Sequence, residues 1–225
     1  FSQIDGKLAS LTSLRDRPAG TVRLTCSAHA ARTIVWPAVD RLTRSNPDIS
    51  VEISIDAGLT DIVTGRFDAG VRLGESLDKD MIAVRIGPQL RMAAFAAPSY
   101  LEGRDIPRTP EDLTHHSCIN LRLATSGGIY AWEFEQGPRA IRVKVDGHLV
   151  FNDMDLVVEA AIAGQGVAFS LEDHVQRHLA DGSLVRFLED WCEPFDGYFL
   201  YYPSRRQPTA AFRLLLDHLK FRPSR

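Results

Sequence analysis

Two stretches near the start of the chain alternate apolar and polar residues with period two: Thr21-Val22-Arg23-Leu24-Thr25-Cys26-Ser27 and Val51-Glu52-Ile53-Ser54-Ile55. That period belongs to strands with one face on a core. Between them Ala28-His29-Ala30-Ala31 turns the chain into a helix through Val35, Val39 and Leu42, ending near Asn46-Pro47. Pro37 falls in its first turn or kinks it slightly, and both are tolerated. After the second strand Gly58 breaks the pattern, and Leu59 to Thr64 predicts a short helix closed by Gly65. Phe67 to Leu73 is a third strand, carrying Asp68, Gly70 and Arg72. Strand, short helix and strand make a compact βαβ unit whose connection passes over the strand ends, where open α/β sheets take ligands.

Upstream, Phe1, Ile4, Leu8, Leu11 and Leu14 form a helical stripe of coiled-coil type, stopped by Arg17-Pro18-Ala19-Gly20. Such a short helix is marginal alone in water, so it is expected to continue upstream, pack on a partner or dock on its own domain. Downstream, strands are predicted at Ile82 to Ile86 and Arg91 to Ala96, and the texture changes at Ala97-Pro98-Ser99-Tyr100-Leu101. A helical turn at Pro110-Glu111-Asp112-Leu113, a strand from Cys118 to Leu123 and a small-residue loop over residues 124–128 follow. Trp132-Glu133-Phe134 and Ile141 to Val145 predict a hairpin across Gly137-Pro138. Asp153 caps a helix that runs to Ala163 and stops at Gly164, followed by a short buried strand at Gly166 to Phe169. A helix over Leu171 to Ala180, strands at Leu184 to Leu188 and Tyr198 to Tyr202, and an amphipathic helix from Thr209 to Phe221 complete the chain. The predicted layout is an opening helix over 1–17, a first lobe over 18–96 completed by 197–225, and a second lobe over 97–196. A late strand crossing back gives two crossovers and a cleft suited to closing around a ligand.

Composition narrows the function classes. The 225 residues can bury a real core, with 44% hydrophobic and 24% charged residues. A formal net charge of −3 lacks the basic excess of a nucleic-acid-binding surface. Three well-separated cysteines, Cys26, Cys118 and Cys192, suggest reduced thiols and no disulfide framework. No apolar run approaches the ~18 residues of a membrane span, and no signal peptide pattern opens the chain, so a cytoplasmic protein is expected. Gly164-Gln165-Gly166 follows a helix and precedes a strand, the reverse of a dinucleotide loop. His174 and His178 share an i, i+4 spacing, but Glu172, Asp173 and Arg177 around them suggest a solvated face more than a metal site. His115-His116 have no third ligand nearby. No nucleophile elbow, phosphate loop or patterned Ser/His/Asp set is present, so neither a cofactor, a metal nor enzyme chemistry is expected.

Several motifs in order carry a family resemblance. They are the leucine-spaced helix before Arg15-Asp16-Arg17-Pro18-Ala19-Gly20-Thr21-Val22-Arg23-Leu24, then Asn46-Pro47-Asp48-Ile49, then Phe67-Asp68-Ala69-Gly70-Val71-Arg72-Leu73-Gly74. Pro98-Ser99-Tyr100-Leu101, Pro110-Glu111-Asp112-Leu113 and Ala163-Gly164-Gln165-Gly166-Val167-Ala168 continue the series. Together they resemble the effector-binding region of a LysR-type transcriptional regulator, preceded by the end of its linker helix. With the layout, the resemblance implies an α/β fold of two Rossmann-like lobes with two crossovers, of the periplasmic-binding-protein type 2 architecture. It further implies a small effector, commonly a carboxylate or aromatic metabolite, between the lobes, and assembly of the chain with itself into dimers or tetramers. DNA contact is then expected only through an N-terminal winged helix-turn-helix that this sequence does not include. The alternative is a two-lobed solute-binding protein, or an enzyme on the same fold.

The strand-end geometry nominates Ser27, His29, Gly58, Leu59, Thr60 and Arg72 in the first lobe, and Thr125, Ser126 and Asp153 in the second. Each has a plainer reading beside it. Ser27 and Thr60 can simply cap helices, His29 can lie at the surface, and Asp153 is first of all a cap. Arg72 can pair with Asp68 or Glu75 instead of clamping a carboxylate. A two-fold dimer is expected through helix Val35–Leu42 or helix Asp155–Ala163.

Overall fold

The computed structural model describes residues 18–56, 62, 64–74, 80–205 and 207–222. The leucine stripe over 1–17, the candidates Gly58, Leu59 and Thr60, and Glu75 lie outside the described residues. The strands, in chain order, are β1 (Gly20–Cys26), β2 (Ile49–Ile55), β3 (Ala69–Leu73), β4 (Met81–Arg85), β5 (Met92–Ala96), β6 (Asn120–Leu121), β7 (Trp132–Gln136), β8 (Arg139–Val143), β9 (Val150–Phe151), β10 (Ala168–Leu171), β11 (Val185–Phe187) and β12 (Tyr198–Pro203). Helix α1 covers residues 28–45 as three consecutive segments, Ala28–Ala30, Ala31–Val35 and Trp36–Ser45. The other α-helices are α2 (Pro98–Leu101), α3 (Met154–Ile162), α4 (Glu172–Ala180) and α5 (Ala210–Leu219). The chain divides into two compact units, one reaching to Pro88 and resuming at Gly197, the other covering Gln89–Asp196.

The first unit is a five-stranded mixed sheet in the order β2-β1-β3-β12-β4. The two strands of the βαβ unit flank β1, and both run parallel to it, with Val22 opposite Val51 and Leu24 opposite Ala69. Strand β12 enters antiparallel between β3 and β4, pairing Leu200 with Val71 and with Val84. A central strand is covered on both faces, which is why Thr25 of β1 is buried along with Val22, Leu24 and Cys26. Helices α1 and α5 pack on each other, and α5 also packs on β1. Their buried residues, Ala38, Val39 and Leu42 on one and Ala211, Phe212, Leu215, Leu216 and Leu219 on the other, keep the 3.6-residue period of the sequence. Each buried leucine contributes roughly 1.5–3 kcal/mol.

Pro37 is accommodated by a π-helical segment, Ala31–Val35, directly ahead of it. A proline inside an α-helix has no N–H and clashes with the carbonyl four residues back, and a single wider turn moves that carbonyl away. The expected helix before Gly65 falls mostly outside the described residues. Its described end, residues 64–66, is a turn whose left-handed residue is Arg66, at φ 55°, and not the glycine beside it.

The second unit is centred on β5, which pairs antiparallel with β10 and β11. In sequence this strand reads as the end of the first lobe, because the texture changes only at Ala97. Its residues Ala93 to Ala96 are fully buried, so its pattern suits a central position in either sheet, and hydrogen bonding decides the matter. The change of texture marks α2, four residues led by a proline. The expected strand Cys118–Leu123 is regular only at β6, parallel to β9, with an isolated bridge from Cys118 to Val167. The hairpin β7–β8 places Trp132 opposite Val143, and Trp132 and Phe134 pack on Phe169 with ring centroids 5.2 and 4.8 Å apart.

Candidate functional site at the strand ends of the first unit

Parallel strands β1, β2 and β3 finish at the same edge of their sheet, at Cys26, Ile55 and Leu73. The backbone N–H of Asp56 donates to the Cys26 carbonyl at 2.9 Å, which holds the first two ends together. Strand β12 runs the other way, so its first residue, Tyr198, lies opposite Leu73 at this edge.

Ser27 leaves β1 in extended conformation (φ −67°, ψ 156°), and its Oγ accepts the Ala30 N–H at 3.2 Å, capping α1. The same Oγ lies 3.5 Å from the Tyr198 hydroxyl. His29 Nδ1 is 3.0 Å from that hydroxyl, with the two rings tilted and 5.8 Å apart. The plainer reading of Ser27 as a cap therefore holds, and a second contact is added to it. His29 is half-buried against Tyr198.

Arg72 is half-buried on β3. Its guanidinium donates from Nη1 to the Val71 carbonyl at 2.8 Å and from Nη2 to Thr25 Oγ1 at 3.3 Å. Burial pushes its pKa down, and the neighbouring Cys26, Asp56 and Tyr198 oppose that shift. The Asp68 carboxylate, four residues earlier, accepts the Arg23 backbone N–H at 2.7 Å. At the end of β1 burial raises the Cys26 thiol to about 11 despite the pull of Arg72, so this thiol is not a thiolate at neutral pH.

The second-lobe candidates lie in the second unit. Thr125 and Ser126 are exposed on a turn after β6, where Ser126 Oγ accepts the Gly128 N–H at 3.2 Å and Arg122 braces the Gly127 carbonyl at 2.6 Å. Asp153 caps α3, its Oδ1 accepting the Leu156 N–H at 3.0 Å. Because β6 and β9 run parallel, with the Arg122 N–H on the Phe151 carbonyl at 2.6 Å, the turn and the cap follow the same ends of adjacent strands. The structure thus gathers Ser27, His29 and Arg72 in one unit and Thr125, Ser126 and Asp153 in the other.

Sequence reasoning missed Tyr198, Asp56 and Thr25. Asp56 and Thr25 border strand ends and could have been nominated by position. Tyr198 could not, because it is separated from His29 by 169 residues and reads only as part of a β-prone run. Three other histidines are tied into local contacts. His174 Nε2 meets Asp155 Oδ1 at 2.8 Å, while His178 Nδ1 meets Ser183 Oγ at 3.1 Å. His116 Nδ1 lies 3.4 Å from the Tyr100 hydroxyl, and burial first of all lowers its pKa. Among the described residues no three His, Cys, Asp or Glu side chains are placed to hold a metal ion, and no helix is long and apolar enough to cross a membrane. Two hollows in the first unit have other linings. One of about 420 Å³ is bordered by Leu214, Asp217, His218, Lys220 and Arg222, and one of about 330 Å³ by Pro18, Ser45, Asn46, Pro47 and Asp48.

Residues 15–222 match the family described as the LysR substrate binding domain. A Pseudomonas aeruginosa relative is 50% identical over 221 residues, covering 98% of this chain and 72% of its own length. The HTH-type transcriptional regulator PgrR of Escherichia coli K12 is 45% identical over 219 residues, covering 97% of this chain and 73% of its own length. Among solved structures, the full-length Vibrio cholerae virulence activator AphB, a member of the LTTR family, superposes with a TM-score of 0.77 at 22% identity, over 97% of this chain and 75% of that one. CrgA of Neisseria meningitidis, a LysR-type transcriptional regulator, superposes with a TM-score of 0.75 at 18% identity, over 96% of this chain and 73% of its own. At these identities the superpositions establish the fold.

Proposed function

We propose an effector chemistry on one premise: this chain belongs to the family of LysR substrate-binding domains, the effector-binding part of LysR-type transcriptional regulators. The effector is a small anion, a carboxylate-bearing metabolite with or without an aromatic ring, and it is taken at the strand ends of the first unit. The observation that supports this most is Arg72. Its guanidinium is half-buried and donates to the Val71 carbonyl and to Thr25 Oγ1, two residues before the Ser27 cap of α1. A cation kept partly out of water gains more from a bound carboxylate than a solvated one does. Ser27 and His29 complete the donor side, and Thr125, Ser126 and Asp153 are proposed as the second unit's contribution. The role is sensing, not catalysis, in keeping with relatives named as regulators. The whole protein is proposed to be a cytoplasmic homodimer or tetramer that reaches DNA through a separate N-terminal domain.

A thermal-shift screen of metabolites against the chain and its Arg72→Ala variant tests the chemistry. Carboxylates are expected to raise the melting temperature of the native chain and to lose most of that effect in the variant. Equal stabilisation of both proteins by an uncharged metabolite overturns the anion assignment.

A further inference from the structure

We propose that Thr25 is a positioning residue of the strand-end site, whose hydroxyl fixes the plane in which the Arg72 guanidinium is held. Thr25 is 1% exposed in β1, an interior strand whose other buried residues are Val22, Leu24 and Cys26. A hydroxyl buried there is costly unless it has a partner. Among the described residues that partner is Arg72, whose Nη2 donates to Thr25 Oγ1 at 3.3 Å. The other terminal nitrogen, Nη1, donates to the Val71 carbonyl at 2.8 Å. A guanidinium is planar, so anchors on both terminal nitrogens set the direction of its plane and oppose rotation about Nε–Cζ.

The sheet register puts this hydroxyl within reach of the guanidinium. Thr25 lies opposite Gly70 on β3, and Arg72, two residues further along, shares the same face of the sheet. Gly70 places no side chain between them. A Cβ there would stand 3.6 Å from the Thr25 methyl and 3.1 Å from Ile62 Cδ1. Threonine is branched at Cβ and stiff at χ1, so a methyl turned toward Gly70 commits the hydroxyl to one direction. Asp56 also acts on this cation and is the rival anchor. The consequence for the effector rests on the proposed function: a carboxylate meets a cation already oriented, so less freedom is lost on binding. The anchoring itself does not depend on that reading.

Nitrogen-15 spectroscopy of the arginine-labelled chain tests the anchoring without any ligand. Arg72, assigned by its loss in Arg72→Lys, is expected to show two separate Nη resonances, because slow rotation about Nε–Cζ keeps the two nitrogens distinct. In Thr25→Val, which removes the hydroxyl and keeps the branched shape, they are expected to broaden and merge, whereas Thr25→Ser keeps them apart. With benzoate as the carboxylate probe, calorimetry should find binding about 3- to 10-fold weaker in Thr25→Val, with no further loss when that change is added to Arg72→Ala. Merged resonances in the native chain, or separate ones in folded Thr25→Val, overturn the proposal. Merging in Asp56→Asn alone overturns it too, since the anchor is then Asp56, and so does merging in Thr25→Val with benzoate affinity unchanged. Should Thr25→Val fail to fold, the native spectrum and Thr25→Ala decide it. Native-strength benzoate binding in Arg72→Ala would overturn the proposed site and leave the anchoring standing.

Discussion

Among the helix starts that follow strand ends, α1 in the first unit and α3 in the second are capped by opposite chemistries. In the first unit Ser27, a neutral hydroxyl, caps α1 and passes its own proton toward Tyr198, beside the guanidinium of Arg72. In the second unit Asp153, a carboxylate, caps α3, and Asp155 follows in its first turn. A helix start favours negative charge. At α3 the chain supplies that charge itself, and at α1 it does not. The neutral cap of α1 suits the external anion of the proposed function, whereas α3 carries acidic residues in its cap and first turn. The same local motif thus carries a neutral cap in one unit and an acidic one in the other.

The comparison can be broken most forcefully at Arg72. Arg72→Ala is expected to weaken a carboxylate effector about 10- to 100-fold by calorimetry, as loss of a charge-assisted hydrogen bond of roughly 1.5–3 kcal/mol requires. Asp153→Asn should change affinity far less, and equal losses in the two variants would remove the asymmetry. Next in size is stability. Ser27→Ala and Asp153→Ala should each cost about 1 kcal/mol in urea unfolding, whereas Asp153→Asn, an equally good cap, should cost little. A third cap sharpens the point through pH. Asp112 closes a capping box with Thr109, and the N–H groups of Arg108 and Thr109 hold its carboxyl below the usual range. Its contribution is therefore complete above the unfolded carboxylate pKa and lost as pH falls through the folded one. Asp112→Asn should leave a flatter stability profile below about pH 4, and an unchanged profile would show the box to be idle. The smallest effect concerns His174 and Asp155, half-exposed partners at 2.8 Å joining α4 to α3. His174→Ala should cost about 0.5 kcal/mol or less, and a larger loss would make the start of α3 depend on more than its caps.

Legibility in the sequence followed the range of each interaction. The strand Thr21–Ser27 shifted by one residue in the structure, the helix expected to run to Ala163 appeared over Met154–Ile162 with its Asp153 cap, and the hairpin turned at Gly137-Pro138. In the candidate site, the positions of Ser27, His29 and Arg72 at or near strand ends were legible, because parallel strands must finish beside one another. The expected choice for Arg72, between pairing with Asp68 or Glu75 and clamping a ligand, was posed too locally. Its observed contacts with Thr25 and Val71, and the influence of Asp56 and Tyr198, come from neighbouring strands as well as its own.

Strand β5 shows where sequence reasoning ends. Its buried alanines and phenylalanine specify a central strand but not which sheet it is central to, and only pairing with β10 and β11 places it in the second unit. Strand β12 is the converse, since its aromatic run specified a strand and only the crossover set it between β3 and β4. The sequence by itself determined periods, caps, turns and the family, because each is written in residues a few positions apart or in motifs kept in order. Tertiary structure alone decided strand order, the burial of Arg72 and the meeting of Tyr198 with His29. Those depend on which distant segments share a sheet, and hydrophobic period records that a face is buried without recording what buries it.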